Sequence, residues 1–389
     1  MDLRTLRVDQ NGSLIRPLPV LDAFERHAHG RLNDEELRAV QDDAIRAAIR
    51  RQEAIGLPVI SDGEFRRRNF QESFGKAVSG YDVPAQVATL TDWREPNHPL
   101  HRTEQNFDAA GPAITTRRPV TERLRFKHNV LLEEYRFASS VATRPVKVAL
   151  IGPDRIAQRF AWEKSQTIYK DIDEFVADVV AIERQMIKEL VAAGCRYVHI
   201  DAPGFTAYVD QVSRDRMKAR GEDPERNLAR GIAAENAVIE GFEGVTFGLH
   251  ICRGNPRGVD PATGKIMPQW HREGHYDSIA ERLFGSLKHH RLLLEYDSER
   301  AGDFTPLRFV PKDKIAVLGL VTTKSAELES KDALKRRIED ATRYLPLDQL
   351  ALSPQCGFNS GGDRGLQLSE TEQWRKFERI RETADEVWG

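Results

Sequence analysis

Eight short apolar runs, rich in β-branched residues, recur along this 389-residue chain, most of them separated by segments with helical spacing. They lie near residues 13–16, 57–61, 146–152, 197–201, 245–251, 291–297, 315–321 and 350–353. Strands that are apolar at nearly every position are buried on both faces. Alternating with amphipathic helices, they specify an α/β protein with a parallel sheet. Eight such units predict a closed (β/α)8 TIM barrel rather than an open sheet. The length exceeds that of most domains, but one barrel with insertions, spanning 1–389, accommodates it.

The helices are legible from their caps and periodicity. Residues 34–55 follow Asn33 and stop at Gly56-Leu57-Pro58, a good cap-and-stop pair. Leu37, Val40, Ala44, Ala48 and Ile55 mark the expected buried face. Residues 172–193 place Phe175, Val179, Ile182, Met186, Ile187 and Leu190 at helical spacing, so that methionine belongs to the core. Residues 331–343 read as a charged, solvated helix. Two long stretches interrupt the alternation, about 76–144 after the second strand and 253–278 after the fifth. Within the first, PAITTRRPVTERLRFK has the pattern of a hairpin and VLLEEYRFASS that of a helix. Loops longer than ~15 residues in compact domains are usually functional or disordered. Loops after barrel strands ring the active-site face, which makes both stretches candidate lids.

Composition narrows the function. A net charge of −2 and a pI near 6.6 supply no electrostatic footprint for nucleic acid or an anionic membrane. No stretch approaches the ~18 apolar residues of a membrane span, and MDLRTLRVDQNGS has no apolar signal region. Three cysteines argue against a disulfide framework and for a reducing compartment, so a cytoplasmic location is expected.

Two of those cysteines belong to a spaced set. His250 and Cys252 form H-x-C at the end of VTFGLHI, Glu295 closes RLLLE, and Cys356 follows LALSPQ. Barrel strand ends converge on one face, so these four residues are candidate ligands of one zinc ion, which prefers nitrogen, thiolate and carboxylate donors in a tetrahedron. Two thiolates disfavour Mg²⁺ and Ca²⁺. The competing reading is ordinary burial of small thiols and satisfied strand-end polar residues. Cys195, with no partner at ligand spacing, belongs to that second class.

The surroundings favour the zinc reading. NGS (11–13), SDGEFRRRNF (61–70), HIDAPGF (199–205), GLHICRGN (248–255), LEYDSERAGDF (294–304), LGLVTTKSAELES (318–330) and SPQCGF (353–358) occur in one order. Together they resemble the catalytic C-terminal barrel of the zinc-dependent, cobalamin-independent methionine synthase family. That family includes short single-barrel relatives such as epoxyalkane:coenzyme M transferase. The resemblance implies a Zn²⁺ cofactor held by His250, Cys252, Glu295 and Cys356. It implies that Ser13, Glu64 and Asp201 hold the amino and carboxylate groups of homocysteine. Asp201 and Lys324 are the candidate catalytic residues. Arg66 and Arg67 are candidate carboxylate partners or a substrate clamp.

The chain also departs from the family. Full-length members carry an additional N-terminal barrel that these residues do not match. Their acidic residue after the strand-end Asp is Ala202 here, and Lys324 stands where they carry a His proposed to protonate the leaving folate. A lysine is charged at neutral pH unless strongly desolvated, so it suits an anion clamp as well as an acid.

The expected activity is therefore that of a zinc-dependent S-methyltransferase acting on homocysteine to give methionine, of the methyltetrahydropteroyltriglutamate–homocysteine type. The partners expected are a small-molecule thiol and a methyl-folate, methyl-corrinoid or sulfonium donor, in a possible homo-oligomer. Three rivals stand beside this expectation. One is epoxide opening by coenzyme M or another small thiol, another a decarboxylase-like barrel without zinc. The third is a non-catalytic zinc- or corrinoid-binding protein.

Overall fold

The computed structural model of the chain describes residues 2–82, 117–253, 257–259, 266–268, 272–360 and 368–389. Its strands are β1 (Val78–Tyr81), β2 (Val120–Phe126), β3 (Lys147–Ile151), β4 (Tyr197–Asp201), β5 (Thr246–Ile251), β6 (Arg257–Val259), β7 (Ile266–Pro268), β8 (Arg291–Glu295), β9 (Ile315–Val321) and β10 (Leu350–Pro354). Its helices are α1 (Leu18–Ala28), α2 (Asp34–Ile55), α3 (Glu72–Ala77), α4 (Val130–Val141), α5 (Pro153–Gln158), α6 (Ile172–Ala192), α7 (Gln211–Ala219), α8 (Pro224–Ile239), α9 (Asp277–Ser286), α10 (Lys331–Ala341) and α11 (Glu370–Trp388). No described helix is long and apolar enough to cross a membrane.

Six strands form one parallel sheet in the order β10-β9-β8-β5-β4-β3. Two further staves join its edges by parallel bridges, Val8 to Leu352 and Ile60 to Val146. The architecture is the expected (β/α)8 barrel. The seam between the Val8 and Ile60 staves carries no ladder among the described residues, and side chains close it instead. Gln10 donates to Gln52 Oε1 (2.8 Å) and to the Val59 carbonyl (3.0 Å). Gln52 donates to the Ser61 carbonyl (2.8 Å) and accepts from the Ser61 N–H (3.0 Å).

That seam explains two differences from the sequence reading. The first stave lies at Val8 and not at 13–16, because residues 13–16 have already turned over the barrel mouth. There the Leu14 N–H donates to Gly63 O (3.0 Å) and the Ile15 N–H to Gln373 Oε1 (2.8 Å). Second, the buried face of α2 is Gln41, Ile45, Ala48, Ile49 and Gln52, displaced from the face through Leu37 and Val40. Apolar periodicity misses it, since the glutamine that closes the seam counts as polar. The α2 ends are as expected, with an Asn33–Glu36 capping box and Gly56 left-handed at φ 84°. The α6 stripe is buried at all six expected positions. The hairpin pattern in 112–127 resolves differently: β2 pairs antiparallel with β1, and residues 112–116 lie outside the described residues. Much of both candidate lids lies outside them too, although β6 and β7 pair within the second.

Strand alternation separates the side chains that face the helices from those that face the barrel axis. Val148, Leu150, Val198, Ile200, Leu249, Leu292, Leu294 and Leu318 join the large core beneath the helices, while Leu293, Ile315, Val317 and Ala351 form a separate small cluster. The interior is otherwise strongly polar. Near the strand starts, buried Asp9 accepts from Lys147 Nζ (2.8 Å), Arg291 Nε (2.9 Å) and the Tyr197 hydroxyl (2.5 Å). Burial alone would raise the Asp9 pKa, but Lys147 and Arg291 hold it well below the usual carboxylate range. An acid depressed in this way stabilises the fold above its unfolded pKa of about 4, and that stabilisation is lost as pH falls toward the folded value. Removing one partner strands buried charge. Asp9→Ala is therefore expected to cost roughly 3–5 kcal/mol in urea unfolding and to flatten the acid limb of the stability profile. A loss under 1 kcal/mol would show the network to be dispensable.

Candidate functional site

The sites suggested by sequence all fall at or beyond the C-terminal strand ends, the face on which barrels place their chemistry. His250 and Cys252 are two apart at the end of β5, so alternation turns both to one side. Cys356 follows β10. All three are buried, and their ligand atoms lie within 4.8 Å of one another. It is the one such group found among the described residues. Neither ring nitrogen of His250 has a nitrogen or oxygen partner, and the neighbour that acts on the ring is the Cys252 thiol. Cys356 and His250 hold the Cys252 thiol far below its ordinary pKa, while Cys252 and burial push Cys356 far above it. One thiolate, a second thiol and an imidazole beside them make a donor set that fits zinc.

Glu295 ends β8 but stands apart from that trio. Its Oε2 accepts from the Arg253 N–H (2.6 Å), and its Oε1 from Arg300 Nη2 (2.6 Å) and Lys324 Nζ (3.1 Å). Burial would raise its pKa, yet Lys324, Arg300 and Arg253 bring it down to about 2. Lys324 is also bound to both oxygens of Asp297, at 2.9 and 2.8 Å. In this state its ammonium is committed to two carboxylates.

Glu64 is the most constrained side chain of the site. It is the one non-glycine residue with positive φ among the described residues, at 59°. Such backbone costs on the order of 1–3 kcal/mol and persists where the surroundings impose it. Both carboxylate oxygens are buried without a hydrogen-bond partner, and the Arg67 guanidinium is 3.9 Å away. Gly12, at φ +97°, faces it so closely that a Cβ there would meet Glu64 Oε1 at 2.6 Å. Burial pushes the Glu64 pKa up to about 8, Arg67 opposes this, and the charges of Asp201, Asp62 and Glu134 add to the rise. Asp201, at the end of β4, goes the other way: burial is outweighed by His199, His250 and Lys147, and its pKa is lowered.

The remaining expected residues divide. Ser13 is buried over the mouth, where its carbonyl accepts from the Phe358 N–H (2.8 Å). A Cβ on Gly357 would collide with its hydroxyl, so a larger residue there would displace that hydroxyl from its present position. Arg67 lies beneath Glu64 but is claimed by Glu134 (2.5 Å) and the Ala149 carbonyl (3.0 Å). Arg66 is not brought to the site. It pairs with Asp42 on α2 (2.5 Å) and lies 4.8 Å over the Phe137 ring of α4, because consecutive residues of this turn face opposite ways.

Sequence reasoning missed His199, Arg253 and Arg300. His199 was within reach, since it sits two residues before Asp201 on a strand and so shares its face. Arg253 and Arg300 gave no spacing signal, because they meet Glu295 from two separate loops.

A family model described as "Cobalamin-independent synthase, Catalytic domain" matches residues 21–99. The uncharacterized protein YxjH of Bacillus subtilis (strain 168) is 34% identical over 387 residues, 98% of this chain and 94% of that one. A methionine synthase of Saccharolobus solfataricus is 23% identical across 89% of this chain and 86% of its own. Among solved structures, one from Listeria monocytogenes, provisionally named a vitamin-B12-independent methionine synthase, matches with a TM-score of 0.72 at 26% identity. That match covers 99% of this chain and 98% of the other.

Proposed function

The chain belongs to the cobalamin-independent methionine synthase family, and from that premise we propose that it transfers a methyl group to the sulfur of homocysteine, with zinc as its cofactor. The observation that carries the amino-acid substrate is the Glu64 carboxyl, buried beside Asp201 with neither oxygen hydrogen-bonded and with its one near cation, Arg67, 3.9 Å away and claimed by Glu134. A buried acid in that state needs a cation, and an α-ammonium group supplies one with several donors.

His250, Cys252 and Cys356 would hold the metal, with Glu295 or a water as fourth ligand. Zinc bound there would keep a substrate thiol ionised at neutral pH, where free thiols with pKa near ~8.5 are mostly protonated. The protein's own residues do the rest. Glu64 and Asp201 hold the ammonium group, while Ser13 and nearby main-chain N–H groups receive the carboxylate. Both ends of the amino acid are thereby fixed, which aims its sulfur at the methyl carbon. In the transfer, the sulfur–carbon bond forms as the donor–carbon bond breaks, the donor keeps the bonding pair, and the thiol proton passes to solvent.

For the donor, we infer a leaving group that departs without a proton, a methyl-corrinoid or a sulfonium, in preference to methyltetrahydrofolate. A folate nitrogen must be protonated to leave, and Lys324, in the place of the family's His, is tied to Glu295 and Asp297. Lys324→Ala is accordingly expected to weaken donor binding more than to slow the chemical step.

The test is zinc-loaded protein incubated with a panel of thiols and of methyl and epoxide donors, with products read by mass spectrometry. Methionine formed from homocysteine, with little turnover of coenzyme M, is expected, since a sulfonate would sit poorly among Glu64 and Asp201. Preferred conversion of coenzyme M or another sulfonate thiol would overturn the reading.

A further inference from the structure

We propose that His199 is a positioning residue for the thiol substrate's amino group: its ring anchors Asp201 in the orientation that meets the ammonium. The inference rests on the amino-acid-thiol reading above and adds a residue to it.

His199 and Asp201 are two apart on β4 and share the barrel-facing side. The β4–β5 register sets His199 opposite Gly248 and Asp201 opposite His250. The His199 ring is therefore one step deeper than both. It is fully buried, its Nε2 lies 3.1 Å from Asp201 Oδ1, and its plane is 29° from that of His250 at a ring distance of 5.8 Å. That contact is the one side-chain hydrogen bond recorded for Asp201 among the described residues. His199 Nδ1 has no partner, so the ring is not held by a network of its own. What fixes it is packing between the polar floor of the barrel and the His250 ring.

A ring placed in this way does one thing that an apolar filler of equal size would not. It donates to a single oxygen of Asp201 and leaves the other for a ligand. Without that donor, the group left to attract Asp201 from the adjacent strand is the His250 ring, which stands opposite it in the β4–β5 register. Asp201 would turn toward His250 and away from the position that faces Glu64. The substrate would then lose half of its ammonium site while the rest of the mouth stayed intact. His199 lies outside the His250–Cys252–Cys356 group, so its removal should leave metal content unchanged.

The experiment measures equilibrium binding of homocysteine and of its des-amino analogue, 4-mercaptobutyrate, to zinc-loaded wild type, His199→Phe and His199→Gln. Phenylalanine keeps the ring and its packing but removes the donor, whereas glutamine restores a donor. His199→Phe is expected to weaken homocysteine binding tenfold or more and to leave 4-mercaptobutyrate within twofold. His199→Gln should recover most of the loss, with zinc content equal in all three. Equal weakening of both thiols by His199→Phe, or of neither, makes His199 a packing residue and overturns the inference. If His199→Phe does not fold, His199→Met takes its place, with the same two outcomes. Should wild type itself bind the two thiols equally, the amino-acid-thiol reading fails first, and this failure is distinct from the other.

Discussion

Cys252→Ser and Cys356→Ser should each leave the purified protein with little zinc, while Cys195→Ser keeps a full complement of about one per chain. A serine hydroxyl does not ionise at neutral pH and is a far poorer ligand for zinc than a thiolate. Even changes one shell beyond the ligands cost roughly 10–100-fold in metal affinity, so loss of a ligand itself should exceed that. The contrast with Cys195 is chemical as well as positional. Its thiol donates to the Tyr197 carbonyl (3.4 Å), and burial pushes its pKa up to about 12, so it stays protonated. Glu295→Gln should lose less metal than either cysteine variant, because Arg300, Lys324 and the Arg253 N–H already hold that side chain. Elemental analysis of the dialysed proteins decides the matter. Full zinc in both serine variants would sink the proposed centre and bring back the reading of these thiols as core residues.

The trio was legible because strand alternation and strand ends are written in the sequence. VTFGLHIC places His250 and Cys252 on one side, and a barrel needs no other instruction to bring Cys356 near them. The same periodicity exposed the α6 stripe and seven of the eight staves. It failed at Val8, where a stave closed by Gln10 and Gln52 carries too little apolar signal to stand out from a loop. It gave no sign of the Arg66–Asp42 pair or of the cations around Glu295, for a different reason. Which cation a carboxylate meets depends on where loops cross the mouth, and no spacing rule encodes that. The backbone of Glu64 lies beyond sequence reading altogether, since nothing in SDGEF distinguishes a glutamate at φ 59° from one in an ordinary turn.

That glutamate supports the second large effect. Glu64→Gln is expected to weaken homocysteine binding by roughly 2–4 kcal/mol, about 30- to 1,000-fold, because a neutral amide replaces one of two acids facing the ammonium group. The same change should make the ligand-free protein more stable. The folded pKa of Glu64 is raised to about 8, against an unfolded value near 4.3. Its contribution is therefore harmless below the unfolded pKa, and it grows more unfavourable as pH rises through that window toward 8. Glutamine has nearly the same shape and no charge to bury, so it removes the penalty. At about 1.4 kcal/mol per pKa unit, the gain near pH 8 should reach several kcal/mol before relaxation reduces it. Thermal melts from pH 5 to 9 should then show the two proteins converging at low pH and Glu64→Gln melting higher at pH 8. Homocysteine should raise the wild-type Tm most where the penalty is largest, since the ammonium group neutralises the acid that burial disfavours. Parallel melting curves across this range, or undiminished homocysteine affinity in Glu64→Gln, would mean that Glu64 neither carries the buried charge nor receives the substrate. A more stable protein that no longer holds its thiol is the signature of a residue kept for binding at the expense of the fold.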